Sequence, residues 1–287
     1  MKFTVIGGDM RMIALVSALE KEGHEVCTYA LEKAPDGMIK CCGLTAALAS
    51  CGADCIILPL PVLNSRGTLN APFSAFSHDV QAIMSQLPRD SVVCAGKPDE
   101  KLINLAEELS IDLVDYFERE ELVALNALAT AEGAISVLLR NSPITIWESS
   151  ILIIGAGRIG KMLAERLRAL GAYVTVSARK ASDMAYIRTI GCKALDTRSL
   201  GDELAQFDTV INTVPALVLD GQRLEKLKKD VVLIDLASIP GGIDLEAARQ
   251  LDLNTLWVLG LPAETAPVTA GKIIKETVQN IIEERRA

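Results

Sequence analysis

The chain has 287 residues, enough for two domains of ordinary size. Half are hydrophobic but only 4% are aromatic, so its cores must be built from Ala, Leu, Ile and Val, as in buried parallel sheets covered by helices. The formal charge of −8, with no basic tract, argues against nucleic acid or an anionic membrane surface as partner.

The chain begins with strand Phe3–Ile6, a turn through Gly7-Gly8-Asp9-Met10-Arg11 and a helix over 12–22, capped by Gly23. Strands follow at Glu25–Tyr29, Cys55–Leu58, Ser91–Cys94 and Asp112–Val114, with helices near 76–87 and 99–109. Strands alternating with helices predict an open parallel sheet, whose ligands bind beyond the carboxyl ends of its strands. Those ends put forward the loops 7–11 and 59–70 and the turn after Cys94. Arg11 and Arg66, the latter beside Ser65, are candidates to reach a carboxylate, and also ordinary surface or structural arginines. Asp9 is a candidate to orient Arg11, to accept a proton, or simply to cap the helix. His78 is one of two histidines, and scarcity alone makes it a catalytic candidate. No apolar run long enough to span a bilayer is expected, nor a signal peptide, since MKFTVIGGD enters a strand and turn at once. Seven scattered cysteines, with only a C-x₃-C at Cys51 and Cys55, predict small buried thiols and no metal site.

From Tyr116 a long helical stretch rich in small residues connects to a second α/β unit, broken by Asn141-Ser142-Pro143. The stretch Ile151–Arg179 organises this unit. An apolar strand leads into Gly155-x-Gly157-x-x-Gly160, then an amphipathic helix to Leu170 and a strand Tyr173–Val176. This is the strand–glycine loop–helix context that the dinucleotide fingerprint requires. Gly155 makes the tight turn, Gly157 admits the pyrophosphate and Gly160 lets helix and strand pack. Arg158 and Ile159 share the helix N-terminus, where free N–H groups and the dipole favour phosphate. A NAD site expects an acid about twenty residues past the glycines. Here the strand ends Ser177-Ala178-Arg179-Lys180, with no acid until Asp183, which suits the 2′-phosphate of NADP. Further strands at 207–213 and 231–236 bring Asn212, Thr213, Val214 and Ser238 to the same sheet edge, as cofactor contacts or plain turn residues, with Asp235 anchoring the last loop. A strand at 256–259 and a closing helix at 272–284 complete the pattern.

The expected fold is α/β with two doubly wound parallel-sheet domains, the C-terminal one a Rossmann dinucleotide-binding domain. Residues 1–118 form the substrate or partner domain, 119–268 the NADP domain with its connecting helix, and 269–287 a helix returning to the first domain.

Taken together, VIGGDMR at 5–11, LNAP at 69–72, NALATAEGAI at 126–135, IGAGRIGKMLAERL at 154–167, IDLASIPGGID at 234–244 and LPAETAPVTAGKII at 261–274 resemble the A subunit of dipicolinate synthase. That resemblance implies a cytoplasmic enzyme of the mother cell in sporulating bacteria, working as an oligomer with a flavoprotein-like B subunit. It implies NADP-linked oxidation of dihydrodipicolinate or hydroxytetrahydrodipicolinate to dipicolinate. For such a small cyclic dicarboxylate, Arg11 and Arg66 are expected to clamp the carboxylates, with His78 or Asp9 as base. Two alternatives stand beside it. One is another NADP-linked dehydrogenase of a small carboxylate, disfavoured because no histidine follows His78. The other is a non-catalytic NADP-binding protein of the same complex, since a fingerprint shows binding rather than catalysis.

Overall fold

The computed structural model describes residues 1–35, 39, 41–51 and 53–286, except for the side chains of residues 46 and 49–51. The chain divides into two compact units, Met1–Asn126 with Ala266–Ala287, and Ala127–Thr265.

In the first unit the order is β1 (Lys2–Ile6), α1 (Met10–Lys21), β2 (Glu25–Tyr29), α2 (Leu44–Cys51), β3 (Cys55–Ile57), α3 (Val80–Gln86), β4 (Val92–Ala95), α4 (Glu100–Glu108) and β5 (Asp112–Asp115). The five strands form one parallel sheet in the order β2-β1-β3-β4-β5, so the direction of winding switches between β1 and β3. Strand side chains alternate between two cores. Phe3, Val5, Cys55 and Ile57 face one layer, and Ile6, Ile56 and Leu58 the other. The helix expected from residue 76 begins at Val80, because Asp79 accepts the Gln81 N–H and caps it there.

α5 (Glu120–Asn141) carries the boundary between the units. By length and a mean hydropathy of 1.8 it meets the criterion for crossing a bilayer, contrary to the expectation that no such stretch exists. Half of that window is buried inside the protein, with Ala131, Ala134, Val137 and Leu138 in a core, so α5 is built as a core helix.

The second unit continues with β6 (Ser150–Ile154), α6 (Arg158–Ala169), β7 (Tyr173–Ala178), α7 (Ala181–Thr189), β8 (Lys193–Asp196), β9 (Thr209–Asn212), α8 (Gly221–Leu224), β10 (Val232–Asp235), α9 (Leu245–Gln250), β11 (Asn254–Trp257) and α10 (Leu261–Thr265). Its parallel sheet runs β11-β10-β9-β6-β7-β8, the Rossmann order, with the switch between β6 and β9. Ile151, Ile153, Val174 and Val176 pack under Leu163 and Leu167 of α6, while Leu152, Ile154, Val210 and Leu233 bury the opposite face.

α11 (Pro267–Arg286) belongs to the first unit and starts five residues before its expected position, with Pro267 in the first helical position. Ile273, Ile274, Val278, Ile281 and Ile282 pack in one core with Leu15, Val16 and Leu19 of α1. A Cβ at Gly271 would lie 2.4 Å from the Arg11 carbonyl oxygen, so glycine sets how closely α1 and α11 approach. Three ion pairs fasten the end of α11: Arg119 with Glu284, Arg285 with Asp112, and Arg286 with Asp54.

Cys41, Cys42, Cys55, Cys94 and Cys192 are free thiols, the last three buried. Cys27 is disulfide-bonded, which departs from the expectation of free thiols throughout. The Cys51 side chain of the C-x₃-C pair lies outside the described residues. No cluster of potential metal ligands occurs among the described residues.

Candidate functional site

The glycine loop is cut to shape. Gly155 has φ +104°, and a Cβ there would sit 2.4 Å from Thr213 Oγ1. A Cβ on Gly160 would come within 2.0 Å of the Gly155 carbonyl oxygen, so α6 can press on the turn only with glycine there. Gly157 differs from both. A Cβ there meets nothing within 4 Å, and as the N-cap of α6 it supplies no side-chain hydrogen bond. The first N–H groups of α6 have no acceptor inside the helix. Open space in front of these donors fits a dinucleotide pyrophosphate. Arg158 is exposed and Ile159 half-buried in that first turn.

Across the switch point, Thr213 donates through Oγ1 to the Ile154 carbonyl at 2.9 Å, tying β9 to β6 beside the loop. Val214 is half-buried. Asn212 is fully buried and spent internally. Its Nδ2 donates to Asp235 Oδ1 at 2.8 Å and to the Val214 carbonyl at 3.0 Å, while its Oδ1 accepts the Val214 N–H. Asp235 also accepts the N–H groups of Ala237 at 3.0 Å and Gly242 at 2.7 Å, which fixes the loop after β10. This corrects the expectation for Asn212, which orients the sheet edge and is sealed from a cofactor. Ser238, next to Ala237 and its anchored N–H, is exposed on that loop.

At the end of β7, Arg179 and Lys180 are exposed. Ser177 has no exposed surface, and its hydroxyl accepts Thr197 Oγ1 at 3.2 Å. The small hydroxyl expected to face a 2′-phosphate therefore points into the fold, a second correction. Asp183, the first acid after the strand, pairs with Lys161 at 3.2 Å. Beyond β8, Asp196 and Arg198 form a forked pair, with Nε 3.0 Å from Oδ1 and Nη2 2.6 Å from Oδ2. Only the Asp-x-Arg spacing marks this pair in the sequence.

In the first unit, the loop after β3 folds over a pocket of ≈ 420 Å³ lined by Asn64, Ser65, Arg66, Thr68, Ser74 and Ser77 among others. Ser65 and Arg66 are exposed at it. Arg11 does not reach it. That residue is 7% exposed; Nε and Nη2 grip Asp9, and Nη2 also donates to the Leu60 carbonyl. Asp9 caps α1 through the Arg11 N–H at 3.0 Å. The two-arginine clamp is thus corrected to a single exposed cation, Arg66. Asp9 is a cap and counter-ion, with its carboxylate committed to Arg11.

His78 sits in a chain of hydrogen bonds whose direction is set by its far end. Glu32 accepts Ser74 Oγ at 2.6 Å and the Ala75 N–H at 2.9 Å. Burial works against this carboxylate, but the Ser74 hydroxyl and Ala75 N–H outweigh it and hold its pKa below the usual range. With the Ser74 proton on Glu32, Nε2 of His78, 2.7 Å from Ser74 Oγ, must be a donor. Nδ1 meets the Tyr29 hydroxyl at 3.0 Å. His78 therefore turns an N–H toward the pocket wall, and its role as a base facing the pocket is corrected to one of holding the loop. Tyr29, Glu32 and Ser74 carry no signal in the sequence, since 42 and 49 residues separate the bonded partners.

Residues 2–117 match the N-terminal domain of the dipicolinate synthase A subunit, and residues 129–238 match the D-isomer specific 2-hydroxyacid dehydrogenase NAD binding domain. The dipicolinate synthase A subunit of Bacillus subtilis is 29% identical, with 100% of this chain and 97% of that protein aligned. This chain is a relative of the dipicolinate synthase A subunit over its whole length. Solved structures of such proteins superpose closely. That from Bacillus halodurans gives a TM-score of 0.88 at 28% identity, covering 98% of this chain and 97% of its own. That from Bacillus subtilis gives 0.87 at 28% identity, covering 100% and 97%. The second unit is accordingly a nicotinamide-dinucleotide-binding domain, and the chain is of the oxidoreductase kind.

Proposed function

We propose that this chain is the NADP-binding A subunit of a dipicolinate synthase. It oxidises dihydrodipicolinate, or hydroxytetrahydrodipicolinate with loss of water, to dipicolinate in the cytoplasm of a sporulating mother cell, partnered by a flavoprotein-like B subunit. The observation that carries this reading is similarity spread over both units in one relative, rather than a fingerprint in one of them. When bound, the nicotinamide supplies the hydride acceptor. The chain's own residues bind and orient. Gly157 leaves room for the pyrophosphate, and Arg179 with Lys180 meets the 2′-phosphate. Arg66 and Ser65 hold a carboxylate of the ring in the polar pocket. The Tyr29–His78–Ser74–Glu32 chain keeps that pocket's wall in place. Because the product is an aromatic pyridine, the departing ring proton needs no strong base.

A second reading, a non-catalytic NADP-binding member of the complex, is favoured by the committed state of His78 and Asp9. The deciding experiment follows reduced nicotinamide and dipicolinate by absorbance, using freshly generated dihydrodipicolinate, NADP or NAD, and the chain with or without its B subunit. Coupled appearance of NADPH and dipicolinate is expected. NADP binding with no turnover even in the complex would reject the catalytic reading in favour of the second.

A further inference from the structure

Ala178 ends β7 where a NAD site carries its ribose-binding acid, about twenty residues past the glycines. Its register partner on β8 is Asp196, one strand spacing away at the same carboxyl edge. An acid therefore stands at this sheet edge one strand over from the usual position. There Asp196 is engaged through both oxygens. Arg198 donates its backbone N–H to Oδ1 at 2.9 Å, Nε to both oxygens at 3.0 and 3.1 Å, and Nη2 to Oδ2 at 2.6 Å. The Thr197–Ser177 hydroxyl contact at 3.2 Å fastens this turn to the end of β7.

The same Asp-x-Arg turn occurs at Asp9–Arg11, so the turn by itself is a structural habit. Placement distinguishes the two. The two carboxylates are similarly exposed, 24% for Asp9 and 27% for Asp196, but the Arg11 side chain is 8% exposed whereas that of Arg198 is 71% exposed. A pair so open adds little to folding, and it closes the strand next to β7, which Arg179 and Lys180 directly follow.

We propose that the Asp196–Arg198 pair sets dinucleotide specificity: Arg198 occupies a carboxylate placed at the sheet edge to accept the ribose diol of NAD, which leaves this edge positive for a 2′-phosphate. This rests on the NADP reading above. Covering the carboxylate takes an acceptor away from one cofactor's hydroxyls and a negative charge away from the other's phosphate. The discrimination then comes from removing an acceptor as well as adding cations.

The test is equilibrium titration of the full chain with NADP and with NAD, followed by calorimetry, alongside thermal melting. Arg198→Ala is expected to tighten NAD about tenfold, the size of one charge-assisted hydrogen bond, with NADP unchanged or weaker. Arg198→Lys, which keeps the charge and loses the fork, is expected to shift the ratio part of the way. Adding Asp196→Asn to Arg198→Ala is expected to abolish the gain for NAD. An NAD affinity within twofold of the parent in Arg198→Ala overturns the proposal and leaves the pair as a cap. If the parent chain itself prefers NAD, the NADP reading fails. The response of Arg198→Ala still decides the pair in that case.

Discussion

Replacing Gly157 with Ala separates what the glycine loop does for folding from what it does for a ligand. Gly157 sits at φ −75°, ψ −170°, which any residue adopts, and a Cβ there touches nothing within 4 Å. The folding cost is then only the poorer N-cap, about 0.5–1 kcal/mol. In a protein of this size that lowers Tm by roughly 1–4 °C. The methyl group does enter the open space before the first turn of α6. Loss of that approach should weaken NADP by about tenfold or more, ~1.4 kcal/mol. Gly160→Ala is the contrasting variant. Its Cβ would meet the Gly155 carbonyl at 2.0 Å, and backbone cannot swing aside. Overpacking of this kind costs about 1–3 kcal/mol, so Tm and NADP affinity should fall together. Melting curves and NADP titration of the two variants check both halves. Parental affinity in Gly157→Ala would refute the pyrophosphate seat. A parental Tm in Gly160→Ala would refute the packing argument.

Three further outcomes are expected. Arg66→Ala removes an exposed cation from the polar pocket, so KM for the dicarboxylate should rise about tenfold with Tm nearly unchanged; an unaltered KM in the A–B complex would remove Arg66 from the site. Asp235→Asn sets an amide against the N–H groups that Asp235 now accepts, at a cost of about 1–3 kcal/mol, and a parental melting curve would show that this loop is not held as described. Acid should loosen the contact of α11 with α1. The Lys275 and Gln279 side chains hold Glu22 below its ordinary pKa of 4.5, so its contribution is present above that value and is lost as pH falls through the lower folded value. Glu22→Gln should flatten the decline of Tm below pH ~4.5, and an undiminished slope in that variant would place the acid sensitivity elsewhere.

What was legible in the sequence follows from how locally each feature is determined. The glycine fingerprint was readable because turn, strand and helix lie within one βαβ segment and each glycine answers a steric demand inside it. β6 and β7 were readable because strands buried on both faces are continuous apolar runs. β8 was not, since Lys193-Ala194-Leu195-Asp196 is short, mixed and at the sheet edge. α7 carries no periodic signal, because Ile187 is its one buried residue. The chain from Tyr29 to Glu32 through His78 was illegible for another reason: its partners meet only after two loops have folded onto the sheet.

The arginines are the instructive case. Arg11, Arg66 and Arg198 all follow turns near strand ends, and composition alone treats them alike. The discriminating signal available in the sequence was the aspartate two positions before Arg11 and Arg198. Asp9 and Asp196 each open a helical turn and accept the N–H of the arginine two later, and the guanidinium folds back over the same carboxylate. Arginine at that position is therefore committed before any ligand arrives. Asn64 stands at the corresponding place before Arg66 and accepts its N–H at 2.9 Å, but an amide oxygen offers no charge to hold the guanidinium. Arg66 alone of the three keeps its fork for something else. Whether a committed arginine is then a buried brace, as Arg11 is, or an exposed mask over an acid, as Arg198 is, depends on which sheet edge the turn lands on, and that is decided by tertiary structure.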